Sequence, residues 1–235
     1  MLRALAGAAG LAVTILVWPG PGSAADLALT LPSSVPPAER ARIEKVIAQA
    51  SITTRAELEP FPLRLDIFNY LLDHPEFATQ VTRTLRLARY RVWREADGLH
   101  LDDGWGLKGL ITPMYGEGGL RVVYARGHYE QPLLPDIRGQ AVIVLRYANG
   151  SDRQGRPGLA TSLQVFGVLD SRVLSSLAGV IAQDKAALEA RRVLKVFSRL
   201  TTHLERRTDE VLAELQKNPA VSRPELDDLR RLLGR

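Results

Sequence analysis

The chain has 235 residues, of which 46% are hydrophobic and 24% are charged, and its formal net charge is +5. A chain of this size and apolar content can form one domain with a sizeable core and terminal appendages. It contains no cysteine, which excludes disulfides, thiolate nucleophiles and cysteine-ligated zinc or iron–sulfur sites.

Residues 1–25 have the pattern of a secretory signal peptide. Arg3 precedes an apolar run over Leu5–Val17, prolines and glycines occupy 19–22, and small side chains lead up to Ala25. The apolar run is shorter than the roughly 20 residues that span a bilayer as a helix. We therefore expect cleavage near Ala25 and a periplasmic or secreted chain that begins at about Asp26.

The positive net charge of the chain indicates which partners it could bind. Arg3 is the only charged residue of the predicted signal peptide, so the mature chain would remain basic. An exported protein rarely meets nucleic acid, and no nucleic-acid partner is expected. Two interpretations remain: the positive charge either belongs to an ordinary solvated surface or faces anionic membrane lipids.

Helical and strand-like segments alternate in the N-terminal third. Apolar residues at helical spacing predict an amphipathic helix over residues 36–50. β-branched residues predict a first strand over 51–59, which the prolines that follow should end. Helical spacing returns over 63–87, and Pro75 disfavours helix at the residue before it. We expect two short helices that meet at a bend there.

The middle of the chain predicts further strands. Turn-rich sequence separates segments over residues 90–95, 99–115, 120–130, 138–148 and 159–169. Their short connections favour an antiparallel meander over parallel β-α-β units.

Within the second of these segments, Asp102–Gly106 is interpreted as a turn or bulge. It lacks the alternating acidic ligands and the distal glutamate of a calcium loop.

The C-terminal third is helical in pattern. Residues 171–217 contain no proline and one glycine, and apolar residues recur every three or four positions. This spacing predicts one long amphipathic helix, either continuous or bent near 179–184. Ser222–Glu225 has the spacing of a capping box and predicts a short last helix through Leu233.

The predicted fold is α+β, with a curved antiparallel sheet that grips the long C-terminal helix and two short helices after the first strand. This order, the run from Phe68 to Phe77 and the strand from Gly139 to Tyr147 resemble the START/SRPBCC superfamily of helix-grip proteins. The superfamily includes lipid-transfer domains and polyketide cyclases. The resemblance covers about residues 51–217, whereas the leader and helix at 26–50 and the tail at 218–235 lie outside it.

The resemblance implies a cavity for a hydrophobic molecule between the sheet and the long helix. Alternating strand residues and the apolar stripe of the helix would line it. Ordinary core packing accounts for the same side chains equally well. The candidate ligand-binding residues are Tyr129, Ile143, Leu145, Tyr147, Phe166, Leu177, Ile181 and Phe197.

Two further sets of residues are candidates for a headgroup site or a portal. Arg126 and His128 share one strand face and either point into the cavity, to bind an anionic group or act in acid–base chemistry, or point into solvent. The polarity of the two faces favours solvent, with Tyr129 facing inward. Leu133 and Leu134 lie in a proline-bracketed loop that either forms a portal lip at a membrane or folds back on the sheet edge.

Nothing in the sequence predicts a catalytic constellation. The four histidines show no metal-binding spacing, and neither a phosphate-cradling glycine motif nor a nucleophile elbow is present. We expect no metal and no cofactor. The favoured function is non-catalytic binding or carriage of a hydrophobic ligand such as a lipid. The alternatives are a cyclase or dehydratase acting in the same cavity and a ligand-free partner protein at a membrane.

Overall fold

The structure is a computed structural model that describes residues 29–62, 64–130, 137–170 and 176–235. Side chains are described for these residues except those of 176–182. The predicted signal peptide lies outside the described residues. Residues 35–235 form one compact unit.

The elements of this unit alternate between helices and one sheet. They are α1 (Pro37–Ala48), β1 (Ile52–Phe61), α2 (Leu65–Asp73), α3 (Pro75–Thr84), β2 (Arg91–Glu95), β3 (Gly98–Asp102), β4 (Leu107–Glu117), β5 (Leu120–Tyr129), β6 (Ile137–Ser151), β7 (Pro157–Leu169), α4 (Ser176–Arg206), α5 (Thr208–Lys217) and α6 (Arg223–Leu232). All strand pairs are antiparallel in the order β1-β7-β6-β5-β4-β3-β2. The α+β class and the antiparallel sheet are confirmed.

One predicted strand, over 99–115, is instead two strands joined by a tight loop. The carboxylate of Asp103 is buried, and its Oδ1 accepts hydrogen bonds from the backbone N–H groups of Trp105 (2.7 Å) and Leu107 (3.0 Å). Asp103 therefore holds the chain in a turn between β3 and β4, as short polar side chains do in such loops.

The predicted helix over 171–217 breaks at its C-terminal end. α4 is continuous through the region of the expected bend at 179–184, and the break falls at Arg207, whose φ is −138°. The break lets α5 pack with α6 against α2 and α3. The buried members of that cluster include Leu71, Phe77, Val81, Leu204, Leu215, Leu226 and Leu229. The C-terminal tail is thus part of the core.

The two faces of the sheet carry different helices. α1 contacts β6 and β7, and the guanidinium of its Arg42 lies 5.3 Å from the centre of the Tyr124 ring. On the opposite face, Phe68 of α2 and Leu194 of α4 join Leu145 in one buried cluster. We call these faces the α1 side and the α4 side. Successive residues of a strand alternate between them.

Three glycines are neighbours across the middle of the sheet. Gly109 pairs with Gly127, and Gly127 pairs with Gly139. A Cβ on Gly127 would lie 2.3 Å from the carbonyl oxygen of Lys108, so β4 and β5 approach too closely for any side chain there. Glycine at such an approach typically marks a bend, and this row is compatible with a curved sheet.

The outer edge of β1 is covered by α4. The side-chain amide of Gln183 accepts a hydrogen bond from the backbone N–H of Thr53 (3.1 Å) and donates one to the carbonyl oxygen of the same residue. The helix thereby occupies the backbone groups that a further strand would use.

Among the described residues, no helix is both long enough and apolar enough to cross a bilayer.

Candidate functional site

The α4 side of the sheet carries most of the predicted ligand-binding residues. Ile143, Leu145 and Tyr147 of β6 point to this side, and Tyr129 reaches it from the end of β5. Phe197 of α4 packs against the same cluster.

Phe166 does not belong with these residues. It pairs with Val142 of β6 and therefore points to the α1 side, where it is buried. The prediction that Phe166 lines the same cavity as Leu145 is therefore wrong, because the two residues point to opposite faces of the sheet. Because the alternation along β7 has no clear polar face, the sequence offered no means of choosing between the two.

One end of the α4 side is filled by the protein's own aromatic side chains. The ring of Phe68 is fully buried between Tyr147 and Phe197, with ring centres 5.0 and 5.2 Å away in edge-to-face contacts. Edge-to-face aromatic pairs add to the stabilisation that burial provides. The predicted cavity therefore does not extend to Leu145 and Tyr147 at this end.

A polar network closes the same end. The Arg121 side chain donates to the hydroxyl of Tyr147 (3.1 Å) and the carbonyl oxygen of Gly116 (3.0 Å), and it pairs with the carboxylate of Asp73 at 2.8 Å. The Tyr147 hydroxyl donates to Oδ1 of Asn69 at 2.6 Å. These bonds tie α2 to β5 and β6. Asn69 and Asp73 lie in the run that carried the family resemblance, but the sequence analysis assigned them no contact with Arg121.

The centre of the α4 side is less well covered. Ile143 and Val165 pack against the buried cluster that contains Leu145 and Leu194, yet both stay partly exposed although they lie on inner strands of the sheet. On the α1 side of the same strands, Val142, Val144 and Gln164 are buried. The partly exposed apolar residues of the α4 side, which we call the open face, are Ile111, Val123, Ala125, Ala141, Ile143 and Val165.

Charged and aromatic side chains border the other end of the open face. The ammonium of Lys185 on α4 lies 5.2 Å from the centre of the Tyr129 ring and 3.1 Å from the carboxylate of Glu189. Burial alone would lower the pKa of Lys185, but the hydrogen bond and charge of Glu189 outweigh it and raise that pKa. Tyr90 donates a long hydrogen bond of 3.4 Å to Glu189, and burial raises the pKa of its hydroxyl.

The remaining predicted residues lie apart from the open face or outside the described side chains. Arg126 is exposed on the α1 side, and Nε2 of His128 lies 2.9 Å from the carboxylate of Glu130 on the same side. Leu133 and Leu134 lie outside the described residues, as do the side chains of Leu177 and Ile181.

Two surface pockets lie away from the open face. One, of about 520 Å³, lies between the end of α3 and α5 and includes His203 and Glu210. The second, of about 560 Å³, is lined by Arg83, Arg86, Leu87, Ala88, Arg89 and Trp105. This second site was not predicted from the sequence, although five arginines fall within residues 83–94.

Arg86 of that second pocket has an unusual backbone. Its φ is +56°, and it is the only non-glycine residue with a positive φ among those described. Arg86 follows α3 in the position that glycine usually takes at the end of a helix. The backbone N–H of Arg86 donates to the carbonyl oxygen of Arg83 (3.0 Å), and the N–H of Leu87 donates to that of Thr82 (2.8 Å). An L-residue in this conformation costs roughly 1–2 kcal/mol relative to the ordinary helical region.

Within the described part of the chain, one group of side chains has the atoms to hold a cation. Ligand atoms of Glu95, Asp97 and His100 lie within 4.8 Å of one another at the turn between β2 and β3. Nε2 of His100 already lies 2.7 Å from Asp97, and this hydrogen bond lowers the pKa of that carboxyl. Both carboxylates are exposed, which is the ordinary condition of a surface ion pair.

No protein-family model matches the chain, and no curated protein matches it in sequence.

Proposed function

We propose that this protein is a non-catalytic binding or carrier protein for a hydrophobic molecule, such as a lipid, which sits on the open face of the sheet. The observation that carries the proposal is the partial exposure of Ile143, Val165 and Val123 on inner strands. Apolar side chains there are buried in a filled core, and exposed contiguous apolar surface is typical of ligand grooves.

The residues of the open face leave room for such a molecule. Ala125 and Ala141 pair across β5 and β6, and the next row on the same side places Gly109, Gly127 and Gly139 side by side on β4, β5 and β6. A ligand with ten methylene groups would contribute on the order of 8 kcal/mol when buried, before losses of entropy. That gain suffices for carriage without a catalytic group.

The border of the open face suits a ligand with one polar end. At the α2 end the guanidinium of Arg121 is already bonded to Tyr147, Gly116 and Asp73. At the other end lie Tyr129 and the ammonium of Lys185, which is also paired with Glu189 and is 29% exposed at its side chain. We place the apolar part of the ligand over Ala125 and its polar end near Lys185.

The fold-level part of the proposal is a helix-grip domain of the START/SRPBCC type. The long helix α4, which packs along β1 and β7, and the two short helices after the first strand support it. We further propose that the signal-like segment at 1–25 directs the protein to the periplasm or the exterior, where it exchanges its ligand with a membrane.

The first test is to extract the gently purified protein with organic solvent and analyse the extract by mass spectrometry. A stoichiometric lipid or other hydrophobic molecule is expected. The second is Ala125→Phe, which fills the open face with an aromatic ring and should abolish uptake of a fluorescent fatty acid.

Thr112→Phe is the matched control, because Thr112 is an exposed residue of β4 that points to the α1 side. It should leave uptake unchanged. An extract without a bound molecule, together with equal uptake by both variants, would overturn the proposal.

A further inference from the structure

The segment that leaves α3 and enters β2 presents a group of arginines with no acidic counterpart. Arg83, Arg86 and Arg89 are exposed and line the pocket that we describe above with Trp105. No carboxylate lines this pocket, and among the described residues none of the three arginines forms an ion pair.

The next arginines in the chain differ in this respect. Arg91 pairs with Asp102 at 3.7 Å, and Arg94 pairs with Glu76 at 3.3 Å. The pocket is thus a local excess of positive charge that carboxylates could have neutralised, as they do a few residues away. Such an excess attracts anions.

The backbone of Arg86 is the second observation. The cap of α3 needs a residue with positive φ, for which glycine is the natural choice, and arginine stands there instead. Strained backbone persists where the side chain has a use, and the guanidinium at this position borders the pocket.

Trp105 supplies a fixed aromatic wall. The guanidinium of Arg192 stacks 4.4 Å from the centre of its ring, and Arg192 is itself held by Glu189 at 2.6 Å. The ring of Tyr90 meets Trp105 edge to face at 5.8 Å. The guanidinium of Arg89 also lies over this ring, 5.9 Å from its centre, and Trp105 as a whole remains 36% exposed, so part of its surface is available to a ligand.

We propose that this pocket binds the phosphate group of an organic phosphate ester, with the organic part against Trp105. Guanidinium groups bind phosphate oxygens through paired, charge-assisted hydrogen bonds, and three arginines line this pocket. The site is distinct from the open face, and the proposal does not depend on the function proposed for that face.

The test is calorimetric titration with two probes, inorganic phosphate and phenyl phosphate. Both should bind, and phenyl phosphate should bind more tightly because its ring contacts Trp105. Arg86→Gly should weaken both by about tenfold, the loss expected for one charge-assisted contact. The same variant should keep or raise the melting temperature, because glycine relieves the positive φ.

Arg94→Gln is the matched control, since Arg94 lies outside the pocket and pairs with Glu76. It should bind both probes within twofold of the original protein. Trp105→Leu should remove the advantage of phenyl phosphate and leave binding of inorganic phosphate in place.

The source of the phosphate is then separated with vesicles. Binding to vesicles of phosphatidylglycerol in phosphatidylcholine, lost in Arg86→Gly, assigns the site to a lipid headgroup, whereas binding of the soluble probes alone assigns it to a free ester. Absence of binding to probes and vesicles alike, or equal binding by Arg86→Gly, would overturn the proposal.

Discussion

The two sides of the sheet differ most at its centre, although they are built from the same strands. On β6, Val142 and Val144 are fully buried on the α1 side, whereas Ile143 between them is partly exposed on the α4 side. The difference follows from where the helices lie. α1 contacts the inner strands β6 and β7 directly, while α4 keeps mainly to β1 and β7 near the edge.

The comparison of α1 with α4 shows that a longer helix does not necessarily cover more of a sheet. α1 is short, and it buries Ile43 and Val46. α4 is the longest helix described, and among its described side chains Ala190 and Leu194 are buried in the cluster at the end that α2 also covers. A sheet surface stays uncovered where no helix axis passes over it, and that is the condition for binding something else there.

The largest expected effect tests the packed end of the α4 side. Phe68→Ala should lower the free energy of unfolding by about 3–5 kcal/mol, because it removes a fully buried ring and two aromatic contacts. Urea unfolding measures it. Leu188→Ala, at a residue that is 52% exposed, is the control and should stay within about 0.5 kcal/mol. If Phe68→Ala and Leu188→Ala lowered the free energy of unfolding equally, Phe68 would not be packed as the structure shows.

A matched pair on β6 tests the contrast at the centre. Val144→Phe should cost about 1–3 kcal/mol, because the α1 side has no room for a larger side chain. Ile143→Phe should cost less than about 0.5 kcal/mol, since it enlarges a side chain on the partly exposed open face. Chemical denaturation of both variants decides the matter. If Ile143→Phe is the more damaging of the two, the open face is in fact filled.

The smallest expected effect compares two cation–aromatic contacts of β5, one on each side. Arg42→Gln removes a cation from Tyr124 on the α1 side, and Lys185→Gln removes one from Tyr129 on the α4 side. Each should lower the free energy of unfolding by about 0.5–1 kcal/mol. The melting temperature reports both. A negligible loss for Lys185→Gln alone would show that α4 is held at this end by other contacts.

The Lys185 contribution should also depend on pH. Its raised pKa means that the folded protein holds the proton more tightly than the unfolded chain does. The stabilisation is therefore complete below the ordinary lysine pKa of 10.5 and is lost as the pH rises through the folded value. The difference in stability between the original protein and Lys185→Gln should narrow above pH 10.5. A constant difference would contradict the assigned pairing with Glu189.

Local chemistry made part of this fold predictable. Pro75 ends α2 one residue before α3 begins, as its effect on the preceding residue requires. Alternation along β6 favoured one face for Leu145 and Tyr147, and both residues point to the α4 side. The break at Arg207 left no such mark, because no glycine or proline stands there and the apolar spacing continues into α5.

The arginine pocket was hidden for a different reason. Its members follow one another closely in the chain, and one of them, Arg86, adopts a positive φ, which sequence rules assign to glycine. The wall at Trp105 comes from the loop that Asp103 shapes, where the sequence predicted only a turn or bulge. Residue spacing predicted neither the backbone conformation of Arg86 nor the position of Trp105 beside the pocket.

The amide of Gln183 has a consequence for how this protein avoids self-association. An uncovered edge strand invites a strand from another molecule, and the first step toward aggregation is often such an addition. Gln183 occupies the outward N–H and C=O of Thr53, so an incoming chain would have to displace a side chain anchored on α4. A single glutamine thus blocks the addition of a further strand at this point of the β1 edge.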